Sequence, residues 1–140
     1  MLAPQLARDL SIPSELSAAH EVQEVVEAAL RDYDFTDHDI FGVKLAMEEA
    51  LVNAIKHGNK LDPNKKVHIR FSISCERFDV HIRDEGPGFD PACVPDPTTP
   101  EFLERPCGRG LLLMRHYMTE VNYQDCGKAV RMCKLANKKK

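Results

Sequence analysis

The chain has 140 residues, of which 43% are hydrophobic and 29% charged, and its net charge is −3. These values are typical of one soluble globular domain with its own core. The slight acidic balance argues against a nucleic-acid partner, and the only basic run, residues 138–140, is expected to be a solvated tail. No apolar stretch approaches the ~18 residues that a membrane span requires, so no membrane partner is expected.

The cysteines and the N-terminus bear on the compartment. Five cysteines occur, at positions 75, 93, 107, 126 and 133, and no two of them form a C-x-x-C pair. An odd count without metal-ligand spacing argues against a disulfide framework or a zinc site. No basic segment followed by an apolar run opens the chain, so no signal peptide is predicted. We expect reduced thiols, a cytoplasmic protein and a single domain over residues 1–140.

The first third of the chain predicts a strand followed by a helix. Residues 5–12 could form a short strand. Ser14, just after Pro13, is predicted to be the N-cap of a helix whose apolar residues recur at helical spacing as far as Leu30. Residues 32–35 are predicted to break this helix, so a second helix must begin after them.

The second helix carries a stripe of polar residues. Thr36 is its predicted N-cap, with Asp39 three residues on as a variant capping box, and Gly58 is its predicted C′ residue. At about 100° per residue, Asn53 is rotated only about 40° from Glu49. A carboxylate, a carboxamide, an amine and an imidazole therefore share one face, from Glu49, Asn53, Lys56 and His57. Taken alone, this stripe is more typical of a solvated helix face than of a site.

Two alternating segments then predict a β-hairpin. Apolar residues alternate with polar ones over residues 67–75 and again over 78–83, and residues 76–77 form a tight connection. Asp84 continues the buried side of this alternation. An unpaired carboxylate there would cost several kcal/mol, so Asp84 needs a donor, either from the protein or from a ligand amine. A turn cap or a pairing with Arg or Lys is the plainer alternative.

Glycines and prolines dominate the stretch that follows. Gly86 and Gly88 lie beside Pro87, and six of the nine prolines fall between residues 87 and 106. A long irregular loop within a small domain is usually functional. The Gly108-Arg109-Gly110 segment precedes a predicted helix over residues 111–119, where open amides can bind phosphate. Residues 121–125 and 129–135 predict a closing pair of strands.

The three motifs, in this order and spacing, resemble the ATP-binding GHKL superfamily. The helix with Glu49, Asn53 and Lys56 is similar to its N-box, residues 84–88 to its G1 box and residues 108–110 to its G2 box. Within the superfamily, residues 49–58 and 104–114 are most similar to the anti-sigma-factor serine kinases of the RsbW and SpoIIAB type. The resemblance implies a Bergerat fold, an α+β two-layer sandwich with a mixed, mostly antiparallel sheet and helices on one face.

The resemblance also implies roles on the helix. Glu49 would be the general base that takes a proton from an attacking serine. Asn53 would ligate Mg²⁺, Lys56 would contact phosphate, and His57 would belong to the same nucleotide-binding set. Phosphoryl transfer depends on positioning and charge neutralisation, which suits this set of side chains.

Further roles fall on the loop segments. Asp84 would accept a hydrogen bond from the adenine amino group, with Gly86 and Gly88 letting backbone pack on the base. An ATP lid is expected at about residues 90–110. Its nucleotide-contacting residues would be Gly108, Arg109 and Gly110, together with Arg105, which is a candidate for contact with phosphate or with a partner protein.

The function that follows from the resemblance is an ATP- and Mg²⁺-dependent protein serine/threonine kinase. It would act as an anti-sigma or switch regulator, phosphorylate a serine of a STAS-domain antagonist, and bind a sigma factor as a homodimer. One alternative is a non-catalytic module that uses ATP to shape a partner-docking surface. Another is a stand-alone histidine-kinase catalytic domain. Glu49 favours the serine kinase over both, because binding alone needs no base and many histidine-kinase domains carry Asn there.

Overall fold

A computed structural model describes residues 5–86, 114–124 and 128–137, which form five strands and two long helices. In chain order the elements are β1 Leu6–Pro13, α1 Leu16–Asp32, α2 Asp37–Val52, a π-helical turn Asn53–Gly58, β2 Lys66–Ile73, β3 Arg77–Arg83, β4 Glu120–Gln124 and β5 Ala129–Leu135. The π-helical turn follows α2 directly and is called the π turn below. The strand order in the sheet is β1-β2-β3-β5-β4, and all four described pairings are antiparallel.

The core lies between one face of the sheet and the two helices. Alternate residues of β2 and β3 are buried, which is the period of a strand with one face covered. Val26 and Leu30 of α1 and Met47 and Leu51 of α2 belong to the same buried cluster as Phe71 of β2. The prediction of an α+β two-layer fold is confirmed, with a sheet that is antiparallel throughout its described part.

The helix starts differ from each other. Thr36 is the N-cap of α2, as predicted, and its hydroxyl accepts from the Asp39 amide at 3.1 Å. The Asp39 carboxylate does not return the bond; it accepts from the backbone and side chain of Asn137 instead. The prediction that Ser14 caps α1 is wrong. The helix begins at Leu16 after Glu15, because the Ser14 hydroxyl donates to the Lys65 carbonyl at 2.6 Å.

The end of the second helix also departs from the prediction. The α-helix stops at Val52, and residues 53–58 form the π turn, in which the Asn59 amide reaches back five residues to the Ala54 carbonyl at 2.8 Å. Gly58 is therefore not a left-handed C′ residue. The left-handed positions are Lys60 and Leu61, with φ of 53° and 60°. Turns of this kind are often found at functional sites.

The remaining elements agree with the prediction where they are described. The hairpin of β2 and β3 is present, and β4 and β5 close the sheet. Residues 114–117 are helical, within the helix predicted for 111–119. The predicted lid lies outside the described residues. None of the helices in the described part is long and apolar enough to cross a membrane.

Candidate nucleotide site

Asp84 forms the buried centre of the candidate site. It directly follows β3, and only 6% of it is exposed, as the alternation in the sequence predicted. Its amide donates to the Lys128 carbonyl at 2.8 Å, and its Oδ1 accepts from the Gly86 amide at 2.8 Å. Burial raises the pKa of the Asp84 carboxyl, and the bond from Gly86 opposes this rise. The bond to Gly86 is local, so the carboxylate retains capacity to accept from a ligand donor.

Two glycines make room for this carboxylate. A β-carbon at Gly58 would overlap the Asp84 carboxyl group, and one at Gly86 would overlap the Gly58 carbonyl. The end of the π turn and the end of β3 therefore approach each other as closely as backbone allows. This contact explains why a glycine stands at position 58. The close approach to Asp84 requires a residue without a side chain, whereas the φ of Gly58 is not positive.

The polar stripe forms the second side of the site. Glu49 and Asn53 are half-buried, one α-helical turn apart, whereas Lys56 and His57 are exposed on the π turn. The Asn53 Nδ2 is buried without a hydrogen-bond partner in the part of the chain that the structure describes. Beyond Asn53 the α-helical rotation of about 100° per residue no longer applies, because a π-helical turn contains more residues than an α-helical turn. The structure therefore places Glu49 and Asn53 one helical turn apart, as predicted, and places Lys56 and His57 on the π turn, where the predicted angles do not hold.

Five predicted site residues lie outside the described residues: Gly88, Arg105, Gly108, Arg109 and Gly110. The described half of the site consists of Asp84, Gly86 and the helix stripe. Their roles in binding and catalysis stay predictions.

One residue that sequence reasoning missed is Asn59, which is 1% exposed. Its Nδ2 donates to the Ser14 hydroxyl and to the Lys66 carbonyl, both at 3.0 Å, and its Oδ1 accepts from the Glu85 amide at 2.7 Å. The sequence contains a signal for this role, because Asn59 directly follows Gly58, and a helix that ends at a C′ glycine needs no side-chain amide after it.

The polar groups of the site suit a nucleotide better than a metal ion held by protein ligands alone. The site would suit an adenine at one end and phosphates at the other. It contains the buried Asn53 amide, which has no partner among the described residues, the close approach of Gly58 and Gly86 around Asp84, and the exposed Lys56. No group of three or more His, Cys, Asp or Glu residues in the described segments could hold a metal ion. Mg²⁺ usually keeps several waters and is bound through one or two protein ligands plus substrate phosphates, so Asn53 alone is compatible with it.

The layer arrangement and the contact of Asp84 with Gly58, at the end of the polar helix, agree with a GHKL-like domain. Residues 12–134 match the family model described as the histidine kinase-like ATPase domain. The chain therefore belongs to this family and, with the relatives described next, to the anti-sigma-factor kinase group of the GHKL superfamily.

The relatives are moderately similar along most of the chain. It is 30% identical to serine-protein kinase RsbW of Bacillus subtilis (strain 168) over 138 residues, which cover 92% of this chain and 85% of that protein. It is 34% identical to anti-sigma F factor of Halalkalibacterium halodurans over 116 residues, which cover 81% and 79% of the two chains.

A solved structure shares the fold. The crystal structure of the RsbU and RsbW domains of Rv1364c from Mycobacterium tuberculosis matches 96% of this chain with a TM-score of 0.67 and 14% identity. This chain spans 34% of that longer chain, so the match concerns one part of it.

Proposed function

We propose that this protein is an ATP- and Mg²⁺-dependent protein serine/threonine kinase that regulates a sigma factor. Its substrate would be a serine of a STAS-domain antagonist, and it would bind the sigma factor as a homodimer in the cytoplasm. The single observation that carries the proposal is the buried Asp84, cradled by Gly58 and Gly86, beside a helix that presents Glu49 and Asn53. The names of the relatives, serine-protein kinase and anti-sigma F factor, supply the partner class.

The proposed base end of the site would prefer adenine to guanine. A buried carboxylate accepts from an amino group and repels a carbonyl oxygen at the same place. Adenine presents an amino group where guanine presents a carbonyl. Asp84 would therefore favour ATP over GTP, and the absence of a side chain at Gly86 would let the backbone of Gly58 and Gly86 lie close together beside the ring.

The proposed phosphate end of the site would carry out the transfer. The serine oxygen would form a bond to the γ-phosphorus as the bond from that phosphorus to the β–γ bridging oxygen breaks. ADP leaves with the bond's electron pair, and the Glu49 carboxylate takes the serine proton. Lys56 would offset phosphate charge, and Asn53 would hold Mg²⁺, which when bound neutralises charge on the phosphate oxygens.

The test is incubation with γ-labelled ATP, Mg²⁺ and a STAS-domain protein from the same organism. We expect label on a serine of the STAS protein, stable to acid. Acid-labile label would indicate phosphohistidine and a histidine kinase. Tight ATP binding without any transfer would indicate the non-catalytic module. Either of the last two results would overturn the serine kinase proposal.

A further inference from the structure

Asn59 links the two ends of the candidate site. It directly follows the π turn that carries Lys56 and His57, and its backbone amide closes that turn on Ala54. Its side chain crosses to the Glu85 amide at 2.7 Å, which is the peptide directly after Asp84. One buried side chain therefore joins the segment expected at the phosphates to the segment expected at the base.

The bond to Glu85 completes the support of the Asp84 turn. The Asp84 amide donates to Lys128, the Glu85 amide to Asn59, and the Gly86 amide to Asp84 itself. Three successive amides are thus satisfied by three different groups. Of these hydrogen bonds, only the one to Asn59 comes from the helix side, so this bond and the backbone contact at Gly58 together set how far the carboxylate stands from the π turn.

A second set of hydrogen bonds holds the Asp84 turn from the outer face of the sheet. The Glu85 carboxylate accepts from the Lys66 amide and pairs with His68 Nε2, each at 2.8 Å, and His68 Nδ1 bonds to the Ser11 hydroxyl at 2.9 Å. The hydrogen bond from His68 is the largest cause that lowers the pKa of Glu85. The turn is therefore tied to β1 and β2 as well as to the helix.

The backbone beside Asn59 is held in an unfavourable form. Lys60 and Leu61 are consecutive left-handed residues that are not glycine, and Leu61 is 53% exposed. Each such residue costs of order 1 kcal/mol and persists where surrounding contacts determine it. The Leu61 amide bonds to the Ile55 carbonyl at 2.8 Å, so the chain returns to the π turn on both sides of Asn59.

We infer that Asn59, assisted by the His68–Glu85 pair, is a positioning residue that sets the nucleotide-base selectivity of this site by placing Asp84. The inference rests on the proposed use of Asp84 to recognise the adenine amine. Asn59 does not contact the nucleotide; it acts through the Glu85 peptide. A shift of Asp84 away from the amine would weaken ATP binding more than GTP binding, because only ATP gains from that acceptor.

The test measures dissociation constants for ATP and GTP by calorimetry together with thermal unfolding. Asn59→Leu removes all three side-chain bonds, and we expect the ATP preference over GTP to fall about 10-fold. Asn59→Asp keeps an acceptor for the Glu85 amide and loses both donations. We expect it to lower the melting temperature yet retain the preference.

Matched controls separate positioning from stability. Ser14→Ala removes a partner of Asn59 on the side away from Glu85, and Asp9→Ala breaks an exposed ion pair with Arg70 on the same sheet face as His68. Both should keep the preference, whereas His68→Ala should lower it about 3-fold. A purely structural role predicts that preference follows melting temperature in all five variants, and that result would overturn the inference. Failure of the wild-type protein to bind ATP would instead sink the proposed function.

Discussion

The two sides of the candidate site differ in how their polar groups are satisfied. On the β3 side, Asp84 and the two residues after it have every backbone amide bonded, and the carboxylate itself accepts from Gly86. On the helix side, no hydrogen bond or ion pair joins the side chain of Glu49, Lys56 or His57 to another described residue. One side is organised before any ligand arrives, and the other offers groups that have no partner among the described residues.

This difference suits the two tasks that the proposed function assigns. Recognition of a flat base gains from a rigid acceptor, because pre-organisation avoids the entropy cost of ordering it on binding. Phosphate and metal binding can use groups that are unpaired until the ligand supplies their partners. The orphaned Nδ2 of Asn53 is the one buried atom on the helix side that lacks such a partner within the described segments.

The largest expected effect concerns the helix side. Glu49→Gln keeps the shape of the side chain and removes its basicity, so phosphoryl transfer should fall about 10³-fold, the usual worth of a general base. Single-turnover transfer of labelled phosphate measures it. Glu48→Gln, an exposed neighbour on the same helix, is the control and should transfer at the wild-type rate. A Glu49→Gln rate within a factor of about three of wild type would remove Glu49 from the base role.

The next effect concerns the contact between the two sides. Gly58→Ala puts a methyl group against the Asp84 carboxyl, so the π turn and the end of β3 must separate. Such overpacking costs about 1–3 kcal/mol of unfolding free energy, measured by denaturant titration. Gly42→Ala is the control and should cost less stability, since the atoms nearest to its β-carbon belong to the Tyr117 side chain, at 3.2 Å, rather than to a buried carboxyl group. A Gly58→Ala protein as stable as wild type would show that the contact is looser than described.

A smaller effect concerns the charge on Asp84. Because burial raises its pKa in the folded state, the folded protein holds this proton more tightly than the unfolded chain does. The ionised group therefore costs stability at neutral pH, and the cost disappears as pH falls below the unfolded value of about 3.9. Asp84→Asn keeps an acceptor for Gly86 and should raise the melting temperature by about 2–4 °C at pH 7, with the gain shrinking toward pH 4.

Asp39 provides the contrast for this measurement. It is the other buried carboxylate in the described residues, and it accepts two bonds from Asn137. Asp39→Asn turns one acceptor into a donor that faces the Asn137 amide, so the melting temperature should fall. If both substitutions move the melting temperature in the same direction, burial alone does not explain the Asp84 effect.

The smallest effect concerns the backbone next to Asn59. Lys60→Gly relieves a left-handed φ of 53°, so the unfolding free energy should rise by about 0.5–1 kcal/mol after the entropy cost of glycine is subtracted. Lys65→Gly, outside the left-handed region, should destabilise instead. A loss of stability in Lys60→Gly would indicate that the lysine side chain contributes more than the strain costs.

The fold is predictable because the sequence has strong periodic patterns of apolar residues. The alternation in β2 and β3 predicted both the hairpin and the burial of Asp84, since side-chain period fixes the face. The predictions at Ser14 and Gly58 are wrong for a shared physical reason. The sequence predicts a local capping role for both residues, whereas each makes a contact distant in sequence: Ser14 bonds Lys65 and Asn59, and Gly58 meets Asp84.

The π turn could not be predicted from the same patterns. A π-helical hydrogen bond reaches back five residues and an α-helical one four, and the same pattern of apolar residues is compatible with both. Which of the two forms depends on how the end of the helix packs against the end of β3. Asn59 was missed for the same reason, because its three side-chain partners come from three separate segments.

The central claim, that one side of the site binds the base and the other performs transfer, is tested most directly by ATP titration calorimetry on three proteins. We expect wild type and Glu49→Gln to bind ATP with the same affinity, and Asp84→Asn to bind at least about 10-fold more weakly because an acceptor facing the amine becomes a donor. Wild-type affinity in Asp84→Asn, or a loss confined to Glu49→Gln, would contradict the account.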